Sequence, residues 1–151
     1  MKYLPKLMLL AIVVSFTACG GSGNPSETLA STKWMIDVDT MMDKMMDQMP
    51  EEAKKMMKTE KGKERMKKQK ERMEKGRIVF EKGGVFKTVG PDGEEQKGTW
   101  KLSDDNKTIT IMEKEGKDPT TYNVESIGSS KVLLSEKKGE RTNYMALKAA
   151  N

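Results

Sequence analysis

Histidine is absent from this chain, and cysteine occurs once, at Cys19. The first absence removes the commonest general base and the commonest ligand for zinc or copper. A hydrolase built on a serine and a histidine is therefore excluded. A lone thiol allows no disulfide within the chain, and once modified it would leave neither a thiolate ligand nor a cysteine nucleophile. Paired carboxylates could still serve a glycosidase. The acidic residues, however, fall mostly in turns such as "GPDGEE" and "SDDNK", beside glycine and lysine, where water solvates them. Aromatic residues make up only 5% of the chain, and none lies in its most basic stretch, which argues against a nucleic-acid partner. The reading is of a protein that is not an enzyme and needs no cofactor.

Long hydrophobic runs are also missing, with one exception at the start. Lys2 and Lys6 precede an apolar run of ten, Leu7 to Phe16, followed at once by "TACGG". The run is too short to span a bilayer and has the layout of a secretory signal peptide. Cys19 stands where cleavage after Thr17 and Ala18 would leave it as the first residue. This stretch resembles the lipobox of bacterial lipoproteins, with Phe16 in place of the commoner leucine. The resemblance implies that the Cys19 sulfur carries a diacylglycerol and its amino group a third acyl chain. Each buried methylene contributes roughly 0.8 kcal/mol, so several chains together anchor firmly. The expected location is the cell envelope, anchored through Cys19 in the periplasmic leaflet of the outer membrane.

Loss of residues 1–18 leaves 26 basic side chains against 23 acidic, a net charge of +3. The charge is uneven: Lys54 to Lys75 holds eleven Lys or Arg against four Glu. Residues 19–30, with "GGSGNPSE", read as the acylated cysteine and a flexible tether. Residues 31–151 suit one domain.

Residues 40–75 are rich in Met, Lys, Glu and Gln and poor in β-branched residues, which predicts helix. Thr40 with Asp43 suggests a capping box, and "PEE" at 50–52 places proline and two acids where a first turn favours them. Helices are expected over about 40–48 and 50–74, with Gly62 a weak point and Gly76 the stop. From Arg77 onward the period changes to two, with a turn signal every eight to twelve residues. Seven strands follow, and "KWMIDVD" at 33–39 would supply an eighth. Closing these into a barrel abolishes their edges.

Trp34, "GTWKLSDDNKTITI" and the closing "YNVESIGSSKVLLSEKKGERTNYMALK" together resemble the small lipocalin-like lipoproteins of diderm bacteria over roughly residues 30–148. The resemblance implies a mainly β fold, a small antiparallel eight-stranded barrel with a helical insertion between the first and second strands. It also implies an arginine from the last strand packed on the opening tryptophan, here Arg141 on Trp34, and an apolar ligand or an envelope protein as partner.

Five of nine residues in "MMDKMMDQM", 41–49, are methionine. On a continuous helix Met41, Met42, Met45, Met46, Met49, Ala53, Met56 and Met57 share one face. Three readings are open. The face fills the core with adaptable side chains, it grips a partner or acyl chain, or Met42, Met45, Met46 and Met49 hold Cu(I) through their thioethers. Inward candidates in the barrel are Ile78, Phe80, Trp100, Leu102, Ile109, Ile111, Tyr122, Val124, Val132, Leu134, Met145 and Leu147. The methionine face is expected to lie over the barrel opening as a lid. A bound apolar ligand would then touch Met45, Met49 and Met56 from the lid and Trp100 and Tyr122 from the wall.

Overall fold

The computed structural model describes residues 23–150. The segment expected to be a signal peptide and Cys19 lie outside the described residues. Eight antiparallel strands form a closed barrel in simple sequence order: β1 Lys33–Ile36, β2 Arg77–Glu81, β3 Val85–Val89, β4 Glu95–Leu102, β5 Thr108–Met112, β6 Thr120–Ile127, β7 Lys131–Lys138 and β8 Arg141–Ala149. β1 closes the ring by pairing with both β2 (Trp34 opposite Ile78) and β8 (Trp34 opposite Ala149). Every strand thus has two neighbours, which removes the edge that a meander of short strands would otherwise expose.

The inward side of the period-two pattern forms the core. All twelve expected inward residues belong to it or pack against it, together with Trp34, Phe86 and Leu29. Phe80 lies 5.2 Å from Phe86 and 5.3 Å from Trp100, the latter edge to face, as aromatic quadrupoles favour. Gly98, opposite Phe86, is required by the pairing: a β-carbon there would collide with the carbonyl oxygen of Met112 on β5.

The stretch expected to be a tether is in part a helix. α1, Pro25–Ser31, begins with Asn24, whose side chain accepts from the Ser26 N–H at 3.0 Å, and with proline in its first turn. Composition suggested flexibility, but Leu29 is fully buried, and its carbonyl accepts from the Trp34 indole at 3.0 Å. α1 lies against β2 and β6 and closes one end of the barrel. Ser26, Glu27 and Ala30 sit there beside the loops at Lys82–Gly84 and Ser103–Asn106.

The insertion between β1 and β2 is three helices rather than two: α2 Val38–Asp47, α3 Glu51–Met57 and α4 Glu60–Met73. β1 stops at Ile36 because Asp37, and not Thr40, is the N-cap of α2. It accepts from the Thr40 N–H at 3.3 Å and the Thr40 hydroxyl at 2.9 Å. The helix expected over 50–74 divides where Thr59 caps α4 through the Gly62 N–H at 3.2 Å. Gly62 is not a weak point within a long helix. It lies in the first turn of α4, where any β-carbon would collide with the Met56 carbonyl at the end of α3. Among the described residues no helix is long and apolar enough to cross a membrane.

Candidate functional site

The barrel has two unlike ends. At the α1 end Trp34, Phe80, Phe86, Trp100, Ile109, Leu134 and Leu147 fill the lumen. At the opposite end, where β1 finishes and the β3–β4 turn lies, the filling stops. A space of about 600 Å³ opens there between the strand ends and the helices. Its inner wall is Ile36, Ile78, Tyr122 and Met145, with Thr88, Gln96 and Asn143 higher up. The register explains the set. Thr88 pairs with both Ile78 and Gln96, and Asn143 pairs with Glu136, so these positions continue the inward rows of their strands toward the mouth. The same alternation that supplies apolar residues below supplies polar ones above.

The rim is charged. Asp92 and Glu94 from the β3–β4 turn, Glu113 at the end of β5 and Glu136 on β7 face Arg72 of α4 and Arg77 of β2. Asn143 donates from its side-chain nitrogen to Glu136 at 3.2 Å. Burial pushes the Tyr122 phenol above its ordinary pKa, and the charges of Glu113 and Glu136 push in the same direction. The phenol therefore stays neutral, with its proton, throughout the physiological range.

A second, narrower space of about 340 Å³ adjoins the mouth, between α2, the end of α4 and β8. Met41, Met73, Asn143 and Tyr144 line both. Met42 and Met45 complete its methionine wall. The side chain of Gln48 fastens this wall to the barrel. Its amide nitrogen donates to the Thr142 carbonyl and its oxygen accepts from the Thr142 N–H, both at 2.8 Å, so one side chain continues the β8 ladder. Lys44 lies 5.7 Å from the centre of the Tyr144 ring, a cation–π contact on the same flank. At the start of α2, burial pushes Asp37 upward. The two hydrogen bonds from Thr40 and the nearby Lys131 ammonium outweigh it, and the carboxyl is held below its ordinary pKa.

The residues expected at the site are only partly brought together. Tyr122 lines the mouth and Met45 the adjoining groove. Met56 is 72% exposed on α3 and touches neither space, because α2 ends at its C-cap Gln48 and α3 is a separate helix that starts after Pro50. Met49 lies beyond the end of α2, after its C-cap Gln48, and is not part of either wall. Trp100 is buried at the α1 end, its indole donating to the Glu81 carbonyl at 3.0 Å. Of the four candidate copper ligands, Met42 and Met45 share the groove with Met41 and Met73, whereas Met46 and Met49 do not line it. The methionine face is not a lid: α2 lies along β8, and only Met41 and Met73 reach the mouth.

Trp34 is fully buried and stands in the core as expected. Arg141 does not pack on it. Arg141 pairs with Lys138 at the far end of β8, whereas Trp34 pairs with Ala149, eight residues or about 27 Å along the strand. The Trp34 indole turns to α1 instead. Gln48, Glu113 and Glu136 were missed. Gln48 gave no signal in a polar helix end, and the two glutamates looked like ordinary solvated turn or strand-end residues until the closed ring placed them around one opening.

No family model and no curated protein sequence matches the chain. Among solved structures it is similar to the crystal structure of a DUF4847 family protein from Bacteroides vulgatus ATCC 8482, with a TM-score of 0.55 and 16% identity, over 83% of this chain and 96% of that one. At that identity the likeness concerns the fold, and the eight-stranded barrel with its α1 end closed is what the candidate site is built on.

Proposed function

We propose that the protein is a non-enzymatic, lipocalin-like lipoprotein of the cell envelope, anchored through an acylated Cys19, whose barrel mouth binds a small apolar ligand. The observation that carries the binding half is the mouth itself. A space of about 600 Å³ with Ile36, Ile78 and Met145 on its wall falls in the range of small-molecule sites, roughly 300–1,000 Å³. The methionine groove beside it adds an adaptable apolar surface along which an acyl chain can extend. The anchoring half is supported by the order of Lys2, the apolar run and Thr17-Ala18-Cys19.

Native mass spectrometry of the protein purified from its own envelope tests the first half. One apolar adduct of lipid-like mass is expected, and it is expected to be lost in Met145→Trp, which fills the mouth. Protein that is uniformly free of adduct would refute the reading. Fractionation of Cys19→Ser tests the second: release from membranes, or an uncleaved precursor, is expected.

A soft-metal site is the second reading, favoured by one observation. Met41, Met42, Met45 and Met73 bring four thioethers to one groove, although from a different set of positions than the sequence suggested. Anaerobic Cu(I) would then raise the melting temperature, and Met73→Leu would abolish the rise.

A further inference from the structure

We propose that the mouth selects an amphiphile with an apolar body and a cationic head, of alkylammonium type, over a fatty-acid-like anion. The inference rests on the apolar-site reading above and adds the chemistry of the head group.

The chain as a whole is basic, with a net charge of +5, yet the lining of this opening is not. Four carboxylates, Asp92, Glu94, Glu113 and Glu136, face it against two guanidiniums, Arg72 and Arg77. Arg77 is committed elsewhere: it donates to the backbone carbonyls of Glu74 at 3.2 Å and Gly76 at 3.3 Å. Among the described residues, none of the four carboxylates has a Lys or Arg within ion-pair distance. Of the cations of α4, Arg72 is the one on the lining of the opening, and several of the lysines are met by acids of their own. Lys68 pairs with Glu64, Lys67 approaches Glu71, and Lys70 lies between Asp39 and Glu74. The lining thus keeps an excess of negative charge, four carboxylates against Arg72 and Arg77, although the insertion above it is basic.

The position of these groups matters as much as their number. Glu113 and Glu136 are close enough to Tyr122 for both charges to disfavour its ionisation. Tyr122 in turn stands on the apolar wall with Ile78 and Met145. A ligand that buries its chain against Ile78 and Met145 therefore brings its head to the level of the two glutamates, beside a neutral phenol ring whose face also attracts cations. Low-dielectric walls around a cleft with an excess of one sign focus the field into it and raise the local concentration of the opposite charge. A carboxylate head at the same place meets two like charges, which is the arrangement that binding sites use to exclude a wrong partner.

Isothermal titration calorimetry of the purified protein at low salt and near neutral pH, with n-decylamine, decanoate and 1-decanol below their micelle concentrations, tests this. Decylammonium is expected to bind one to one and at least about tenfold more tightly than decanoate, with 1-decanol between them. In Glu113→Gln/Glu136→Gln the ratio is expected to fall below about threefold while 1-decanol binding is unchanged. Added salt is expected to narrow the ratio in the parent protein without any substitution, so the inference stays testable if the double variant does not fold. Decanoate binding as tightly as decylammonium overturns the inference, as does a preference that survives both substitutions and salt. If 1-decanol binds and the charged pair shows no preference, the head-group assignment falls and the apolar site stands. If none of the three binds, both fall.

Discussion

Leu29→Ala separates a tether from a structural plug. Leu29 is fully buried in the same cluster as Trp34, Phe80 and Leu147, although it lies before the first strand in a segment of serine, proline and glycine. Truncation removes three carbons from a packed site and leaves a cavity, which costs about 3 kcal/mol in sites of this kind. The Trp34–Leu29 hydrogen bond uses the backbone carbonyl, so it survives the substitution, and the loss reads packing alone. With a urea m-value of about 2 kcal/mol/M for a domain of this size, the midpoint should fall by about 1.5 M. Trp34 and Trp100 are both buried in the barrel, so tryptophan fluorescence reports the transition directly. Glu27→Ala, on the exposed side of α1, should change stability by less than about 0.5 kcal/mol and serves as the control. A Leu29→Ala midpoint within about 0.25 M of the parent would refute the plug and return residues 25–31 to the tether.

Three further outcomes follow from the geometry. The folded-state pKa of Asp37 is depressed, so its charge-dependent contribution is complete above the ordinary aspartate pKa of about 3.9 and is lost as pH falls through the lower folded value; the stability gap between parent and Asp37→Asn should be wider at pH 6 than at pH 3, and equal gaps in urea melts at the two pH values would count against it. Gly98→Ala should destabilise the barrel by about 2 kcal/mol or more, since its new β-carbon meets the Met112 carbonyl, and an unchanged urea midpoint would show that β4 and β5 separate more easily than their pairing suggests. Met56→Lys, at a side chain 72% exposed, should shift stability by less than about 0.5 kcal/mol; a loss of several kcal/mol would mean that α3 packs against the rest of the protein more closely than it does here.

What was legible in the sequence was whatever depended on local period and turn chemistry. The strands from Arg77 onward are bounded by glycine-rich turns, four of which use positive φ at Gly83, Gly84, Gly93, Gly116 or Gly139, and their inward rows were readable residue by residue. What was not legible depended on long-range placement. Leu29 is one apolar residue in a polar segment, and nothing local distinguishes it from a solvated leucine until Trp34 and the open strand ends offer it a site. Val38 fits the alternation of β1 but becomes the first residue of α2, because Asp37 can cap a helix and a strand continuing past Ile36 has no such partner. The methionines share one face only on a continuous helix, and the break between the Gln48 C-cap of α2 and the Pro50 N-cap of α3 interrupts it. Glu113 and Glu136 are 23 residues apart in sequence, and only ring closure sets them around one opening.

Ring closure also sets the mouth at the end of the barrel opposite the point where the chain enters. The chain enters the domain at α1, and its last described residue returns to the same end, where the Ala150 N–H donates to the Lys33 carbonyl at 2.8 Å. The mouth lies at the other end of β8, whose nine residues, tilted by about 40° as in other small barrels, place it roughly 23 Å away. Were Cys19 acylated as proposed, the residues from Gly20 to Asn24 could span at most about 18 Å. The α1 end would then rest near the anchoring membrane and the mouth would point into the aqueous compartment. At physiological ionic strength charges are screened over about 8 Å, so headgroups beneath the α1 end would lie well beyond the reach of Glu113 and Glu136. In that orientation the field of the mouth would act on solutes arriving from solution, which is what a receiver of a water-borne amphiphile needs and what a protein extracting lipid from its own membrane would have to reverse.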